Sequence, residues 1–554
     1  MKKNIINSVF ATAASLILIA SCTKKIDEAY ANPNADVRVP VEELLPNIVA
    51  TMATNAAGHG TLNDIRFIGK YIQNFLFCSS GGQYDRMSGT LTTSDNAASI
   101  WRTHFYDIGQ NCNKMIEWGA EEGKWDYVGV GKAIFAWSWL TLSDYHGEVI
   151  STTEAFNTSK LTFSYGTQEE VYAYVKQLCY EAIENLSKTG DAVSQANLAK
   201  GDAFFYNGDV EKWKKFAYGI LARVHNHISN KTALYKPDSV IYYCDKSIAT
   251  NAENGMVKFA NSGISGTANF FGPLRGNLGS AAVGAETAIR QSAFIANLMS
   301  GTNTAFLTVS DPRAWYLLRS NTNGTFVGLQ PNKGQTVITA NDRPENFWGS
   351  SQAGGLVNTA PPNDNNCRYL FRNNSEFPII TAAEIQFMKA EAAFKKGDKP
   401  TALAAYRNGI DLNFDMLSST YSTNVPTANL LTPAAKATFL ANTLVVPTSS
   451  ATLSLSQIML QKYIALYIHG AIETWVDMRR YHYDKDNDPV TGLPVYRDFT
   501  PPAGTDLYPD NAGKYVQRVR PRYNSEYVWN LNELRRIGAD LPDYHTKECW
   551  FSQP

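Results

Sequence analysis

Along most of the chain apolar positions recur every three or four residues, the spacing that lines one side of an α-helix. Val171, Val175, Leu178, Ala182 and Leu186 form one such stripe. It is opened by Thr167-Gln-Glu-Glu170, whose S/T-x-x-E order suits a capping box. Thr381-Ala-Ala-Glu384 opens a second helix through Ile385, Met388 and Ala392. Ser454-Leu-Ser-Gln457 opens a third, with a stripe running Leu460, Ile464, Ile468, Ala471 and Trp475. Strand-like alternation is brief and local, as at Gln335 to Thr339. The pattern predicts a mainly α fold.

Two stretches repeat one design. Ala390-Glu-Ala-Ala-Phe-Lys-Lys-Gly397-Asp398 leads into Ala402 and Tyr406: a helix, a Gly turn, then a second helix with a small residue one turn before an aromatic. Small residues let two helices approach and Gly permits the reversal, the logic of a tetratricopeptide-like hairpin. Phe204 to Asp209, followed by Trp213 and Phe216, is a degenerate second copy. Each hairpin leaves an apolar face, so such hairpins must stack. Between the helices, residues 251–286 and about 319–378 are rich in Asn, Gly, Ser, Thr and Pro, yet carry Phe270, Phe271, Phe347 and Trp348. Rings in long loops point to ordered, ligand-contacting segments. The candidate ligand-binding residues are therefore Phe271 and Trp348, with Tyr84 and Asp85 in the Gly-rich loop 79–90. Trp101 is expected to anchor a helix, and Trp475 with Arg479-Arg480 to serve core packing and carboxylate pairing.

The amino terminus changes the setting. Met1-Lys2-Lys3 is positive, Ile5 to Ala20 is largely apolar, and Leu18-Ile-Ala-Ser-Cys22 closes the segment. This is a secretory signal too short to span with a stop-transfer flank, and a cysteine in the first mature position makes it a lipobox. Residues 1–21 are thus expected to be cleaved, Cys22 to be lipidated, and polar residues 22–40 to form a tether before a single domain over 41–554. Several acyl chains on one residue hold a protein durably to a membrane. Without the signal 48 basic residues face 51 acidic ones, so no basic field exists for nucleic acid. The other six cysteines, Cys78, Cys112, Cys179, Cys244, Cys367 and Cys549, are scattered without a C-x-x-C.

Signatures of catalysis fail in turn. No H-E-x-x-H or G-x-S-x-G occurs. His225-Asn-His227 would point to different sides of its helix, and Gly129-Val-Gly131-Lys132 lacks the first Gly and the Ser/Thr of a phosphate loop. Asp484-x-Asp486-x-Asp488 begins like a calcium loop, but Pro489 and Val495 stand where Gly and Glu are needed. No cofactor or metal is expected.

Several segments together resemble the SusD/RagB family, the outer-membrane nutrient-binding lipoproteins of Bacteroidota. Residues 133–148, AIFAWSWLTLSDYHGE, resemble its early helix ending in an aromatic-Gly turn, although Val149-Ile-Ser151 replaces the usual Val-Pro. Residues 206–230 are similar to its Gly-Asp, Trp and Arg helix, and 384–398 to its Glu-x-x-Phe-x-x-Ala-Glu-Ala helix before Gly-Asp. Residues 457–481 match its Gln-Lys, Glu-x-Trp, Arg-Arg segment, and Pro521-Arg-Tyr523 with Glu526 and Asn530 its closing motif. The resemblance implies four tetratricopeptide-like hairpins with loop-rich ligand-binding insertions. It also implies a non-enzymatic surface lipoprotein that captures a glycan or peptide and delivers it to a TonB-dependent, SusC-like barrel. A surface-anchored hydrolase is the alternative.

Overall fold

The computed structural model describes residues 38–54, 64–80, 85–87, 98–260, 262–275, 289–349 and 363–554. Cys22 and the tether up to residue 37 lie outside them. The chain is mainly α. Its scaffold is built from α1 (Val41–Met52), α2 (Gly109–Glu121), α3 (Trp125–His146), α4 (Gln168–Asn185), α5 (Gln195–Asp202) and α6 (Val210–His227). It continues with α7 (Pro237–Lys246), α8 (Ala382–Lys396), α9 (Lys399–Thr420), α10 (Leu455–Ala465) and α11 (Ala471–Arg480). Each packs on the next in a stack: α2 on α3, α3 on α4, α4 on α6, α6 on α7, α7 on α8, and α8 on both α9 and α10. Strands are short antiparallel pairs, such as Val149–Ile150 with Tyr165–Gly166.

Local sequence accounts for the helix ends. Thr167 and Glu170 close a reciprocal capping box at α4, and Ser454 with Gln457 does so at α10. Thr381 caps the Glu384 N–H at 3.2 Å, but the Glu384 carboxylate turns away to Arg223. Gly397, at φ 89°, reverses the chain between α8 and α9, where Ala402 is fully buried and the Phe387 ring lies against Gly409. In the degenerate copy Asp202 accepts the Gly208 N–H and the Trp213 indole N–H, both at 2.9 Å. Helix α3 is buried on all sides. A Cβ at Gly129 would come within 2.5 Å of Leu186, and one at Gly131 within 3.0 Å of Ile116 and Met115. Those glycines are helix-crossing points, and Lys132 pairs with Glu181 on α4.

Two expectations fail. The stripe from Leu460 to Trp475 is not one helix: α10 ends at Ala465, and the chain turns through Ile468 at φ 69° before α11. The Asn74 side chain accepts the Ile468 N–H at 3.0 Å, so a distant segment stabilises the break. Gln335 to Thr339 forms turns rather than a strand.

Within the apolar interior of the stack runs a network of buried ion pairs. Arg480 binds Glu391 at 2.6 Å and Asp477 at 2.5 Å, and Lys462 binds Asp477 at 2.7 Å. Arg223 holds Glu384 through two bonds of 2.7 and 2.9 Å. His227 faces Glu473 at 2.9 Å through Nε2 and Asp144 at 3.3 Å through Nδ1, with the Tyr172 hydroxyl 3.4 Å from Nδ1. Burial opposes charge on His227, but Asp144 and Glu473 outweigh it and raise its pKa to about 9.

Two outcomes follow from this packing. Ala402→Phe should overfill the α8–α9 contact and cost ~1–3 kcal/mol in denaturant unfolding. The raised pKa of His227 means that its stabilisation is complete below its ordinary value of 6.5 and lost as pH rises through about 9. Melting temperature should therefore fall between pH 7 and 10 in the native protein, and fall less steeply in His227→Gln.

Candidate functional site

The predicted ligand rings are enclosed. Phe271 is fully buried, stacked on Phe377 at 5.9 Å, and Trp348 donates its indole N–H to the Phe271 carbonyl at 2.8 Å. Phe347 stacks on Phe371 at 4.4 Å, and Arg319 donates to the carbonyls of Phe347 and Asn366. Phe271, Phe347 and Trp348 thus pack within the loops and are buried. Asp85 is also buried, accepting the Tyr508 N–H at 2.7 Å and the Asn511 amide at 2.5 Å. It fastens its loop to the carboxyl-terminal region. Tyr84 lies outside the described residues. An apolar ring in a polar loop gives the same sequence signal whether the loop displays it or folds over it.

The tempting ionisable motifs also resolve into packing. Asp144, His227 and Glu473 bring ligating atoms within 4.8 Å of one another. His227, however, spends its two ring nitrogens on two different carboxylates, which is the geometry of a buried imidazolium. Asp484, Asp486 and Asp488 diverge, to Tyr515, His482 and the Ser456 N–H respectively. The six cysteines beyond Cys22 are buried and free.

An open cleft of about 540 Å³ lies elsewhere, between residues 101–110, 150–163 and 522–530. Two π-helical turns, Thr103–Ile108 and Tyr523–Tyr527, form its facing walls. Such turns are rare and frequently mark functional sites. Gly109 lets the first turn close, because a Cβ there would collide with the His104 carbonyl and the Phe156 ring. Phe156 itself sits at φ 67°, an unusual backbone for a bulky residue. The floor is Trp101, buried as expected, with its ring stacked 5.9 Å from that of Tyr165 at an interplanar angle of 26°. The Tyr165 hydroxyl donates to Glu526 at 2.8 Å, and the Asn530 amide reaches both Glu526 and the Phe163 carbonyl. Burial pushes the Glu526 carboxyl up, against these donors. At the rim Trp529 is 71% exposed and Tyr106 57%. Charges beside it are paired, Lys160 with Glu154 at 2.7 Å and Arg102 with Asp107 at 3.9 Å. Rings with interspersed amides can stack on a ligand face and hydrogen-bond its edge. Sequence reasoning named Glu526 and Asn530 only as family motif residues and missed Trp529, which lies between them.

The SusD-like family, described as starch-binding associating with outer membrane, matches residues 33–492. Among solved structures, a SusD homolog from Bacteroides uniformis superposes with a TM-score of 0.66 at 19% identity, covering 93% of this chain and 99% of its own. A SusD/RagB family protein from Bacteroides thetaiotaomicron gives 0.62 at 19% identity, covering 93% and 99%. A chitin-binding SusD homolog from Flavobacterium johnsoniae gives 0.57 at 18% identity, covering 92% and 96%. No curated protein matches the sequence.

If Phe271 and Trp348 are packing groups, truncating either should destabilise the fold. Phe271→Ala and Trp348→Ala should each cost ~3–5 kcal/mol in urea unfolding. Unchanged stability in both would return these rings to the list of ligand contacts.

Proposed function

The chain belongs to the SusD-like family, and from that premise we propose that it is a lipid-anchored outer-membrane protein that captures carbohydrate and passes it to a TonB-dependent, SusC-like barrel. The observation that carries this reading is the family match over residues 33–492, whose description is starch binding at the outer membrane. The chitin-binding relative supports adding β-linked amino sugars to starch as candidate ligands. The lipobox ending at Cys22 supplies the anchor, and no helix among the described residues is long and apolar enough to cross a membrane. Lipid on Cys22 followed by a short polar tether would keep the domain at the surface, within reach of a neighbouring barrel.

Binding rather than hydrolysis fits the ionisable groups described above. The carboxylates of the stack are occupied by Arg223, Lys462, Arg480 and His227, away from solvent. Titration calorimetry with maltose and chitin oligosaccharides, alongside peptides, tests the ligand class. Binding of peptides alone would remove carbohydrate from the proposal, and release of shorter sugars from the titrant would favour the hydrolase. Anchoring is tested separately: Cys22→Ala should abolish lipid labelling and clear the protein from the outer-membrane fraction.

A further inference from the structure

The exposed rings at the rim of the cleft, Trp529 and Tyr106, make no packing contact that holds the fold among the described residues. We propose that the cleft is a saccharide subsite, distinct from the long loops, in which a neutral sugar unit stacks on Trp529 and is hydrogen-bonded from the floor around Glu526.

Four observations carry the assignment. First, large apolar side chains of this chain are mostly enclosed, yet Trp529 and Tyr106 stand 71% and 57% exposed on one rim, with Leu161 beside them at 90%. Exposed apolar surface gathered around a concavity marks a binding place more often than scattered exposure does. Second, the volume of about 540 Å³ suits a small ligand or a few residues of a chain. Third, amides and a carboxyl alternate with the rings: Gln110, Asn157 and Asn524 line the same space as Glu526. A pyranose presents a face of C–H groups and an edge of hydroxyls, so it needs both kinds of surface at once. A lipid chain would make no use of the amides of Gln110 and Asn157. Fourth, the side chains of the floor are already fixed, since Glu526 holds Tyr165 and Asn530 while Phe156 is locked in a left-handed backbone. A pre-set site loses little freedom on binding.

Arg522 lines the cleft and acts on the Glu526 carboxyl, and Lys160 is paired with Glu154, so charges of both signs meet there and no one-signed field selects an anionic ligand. No lining residue comes from the loops 251–286 or 319–378. The family description names starch binding but no site at this cleft. The subsite rests on the carbohydrate reading above, but on a different part of the molecule from the loops first singled out.

The test uses the full lipoprotein in detergent, titrated with neutral malto-, chito-, cello- and xylo-oligosaccharides and with polygalacturonate as an anionic control. Trp529→Ala should weaken binding of the preferred neutral sugar tenfold or more, and Tyr106→Ala severalfold, with unchanged melting temperatures because both rings are exposed. Trp529→Phe should recover much of the affinity. In the native protein, bound sugar should protect Trp529 from oxidation by N-bromosuccinimide, read by peptide mass spectrometry. Neutral-sugar binding that survives Trp529→Ala within twofold, without protection of Trp529, would overturn the subsite and leave the carbohydrate function standing. Binding of polygalacturonate alone would overturn the neutral class. A native protein that binds none of these sugars would overturn both the subsite and the function on which it rests.

Discussion

Charges from α3, α6, α8, α10 and α11 meet where water does not reach, and their mutual pairing fixes how the helices stack. A buried charge without a partner costs several kcal/mol, and a broken buried pair ~3–5 kcal/mol. Arg223, Asn226 and His227 lie on one face of α6 and reach different neighbours: Glu384, Glu391 and the pair Glu473–Asp144. Glu473, Asp477 and Arg480 do the same along α11. Sliding either helix by one turn, 5.4 Å, would strand every charge on that face at once. Apolar packing alone tolerates substitution and repacking. The ion pairs do not, so they set the register of the hairpins while apolar burial supplies most of the stabilisation.

This is also why so much of the fold was legible. The segments that carried the family resemblance are those that build the network. Glu384 and Glu391 come from one motif, Lys462, Glu473 and Arg480 from another, and Arg223 from a third. A buried charge restricts both its own residue type and its partner's, so it leaves a readable spacing. Capping residues at Thr167 and Ser454 and the turn at Gly397 were legible for a local reason: each acts within four residues of itself. The break after Ala465 was not, because the group that stabilises it, Asn74, lies almost four hundred residues away.

The site was less legible than the scaffold. Phe271 and Trp348 stand out in the sequence because rings are rare in polar loops. What the sequence could not supply was direction: these loops close over their own rings, and Arg319 ties their carbonyls together. Trp529 offered the opposite case. It follows Glu526 just after the π-helical turn Tyr523–Tyr527, and its ring is exposed. A π-turn shifts each following side chain by a fraction of a turn relative to an α-helix, so periodicity read at 3.6 residues misplaces it.

The cleft and the scaffold are joined through Tyr165. Its hydroxyl is held by Glu526, its backbone N–H by Glu533 at 2.9 Å, and its carbonyl by Arg536 at 2.8 Å, while its ring lies against Trp101. The carboxyl-terminal segment therefore grips the strand Tyr165–Gly166 at three points, and that strand precedes the capped start of α4. Displacing Trp529 by more than a side-chain rotation would require breaking these bonds together. A carbohydrate stacked there would meet a ring carried by a segment that these bonds tie to the start of α4. The sugar position proposed for the cleft therefore falls on the seam between these segments.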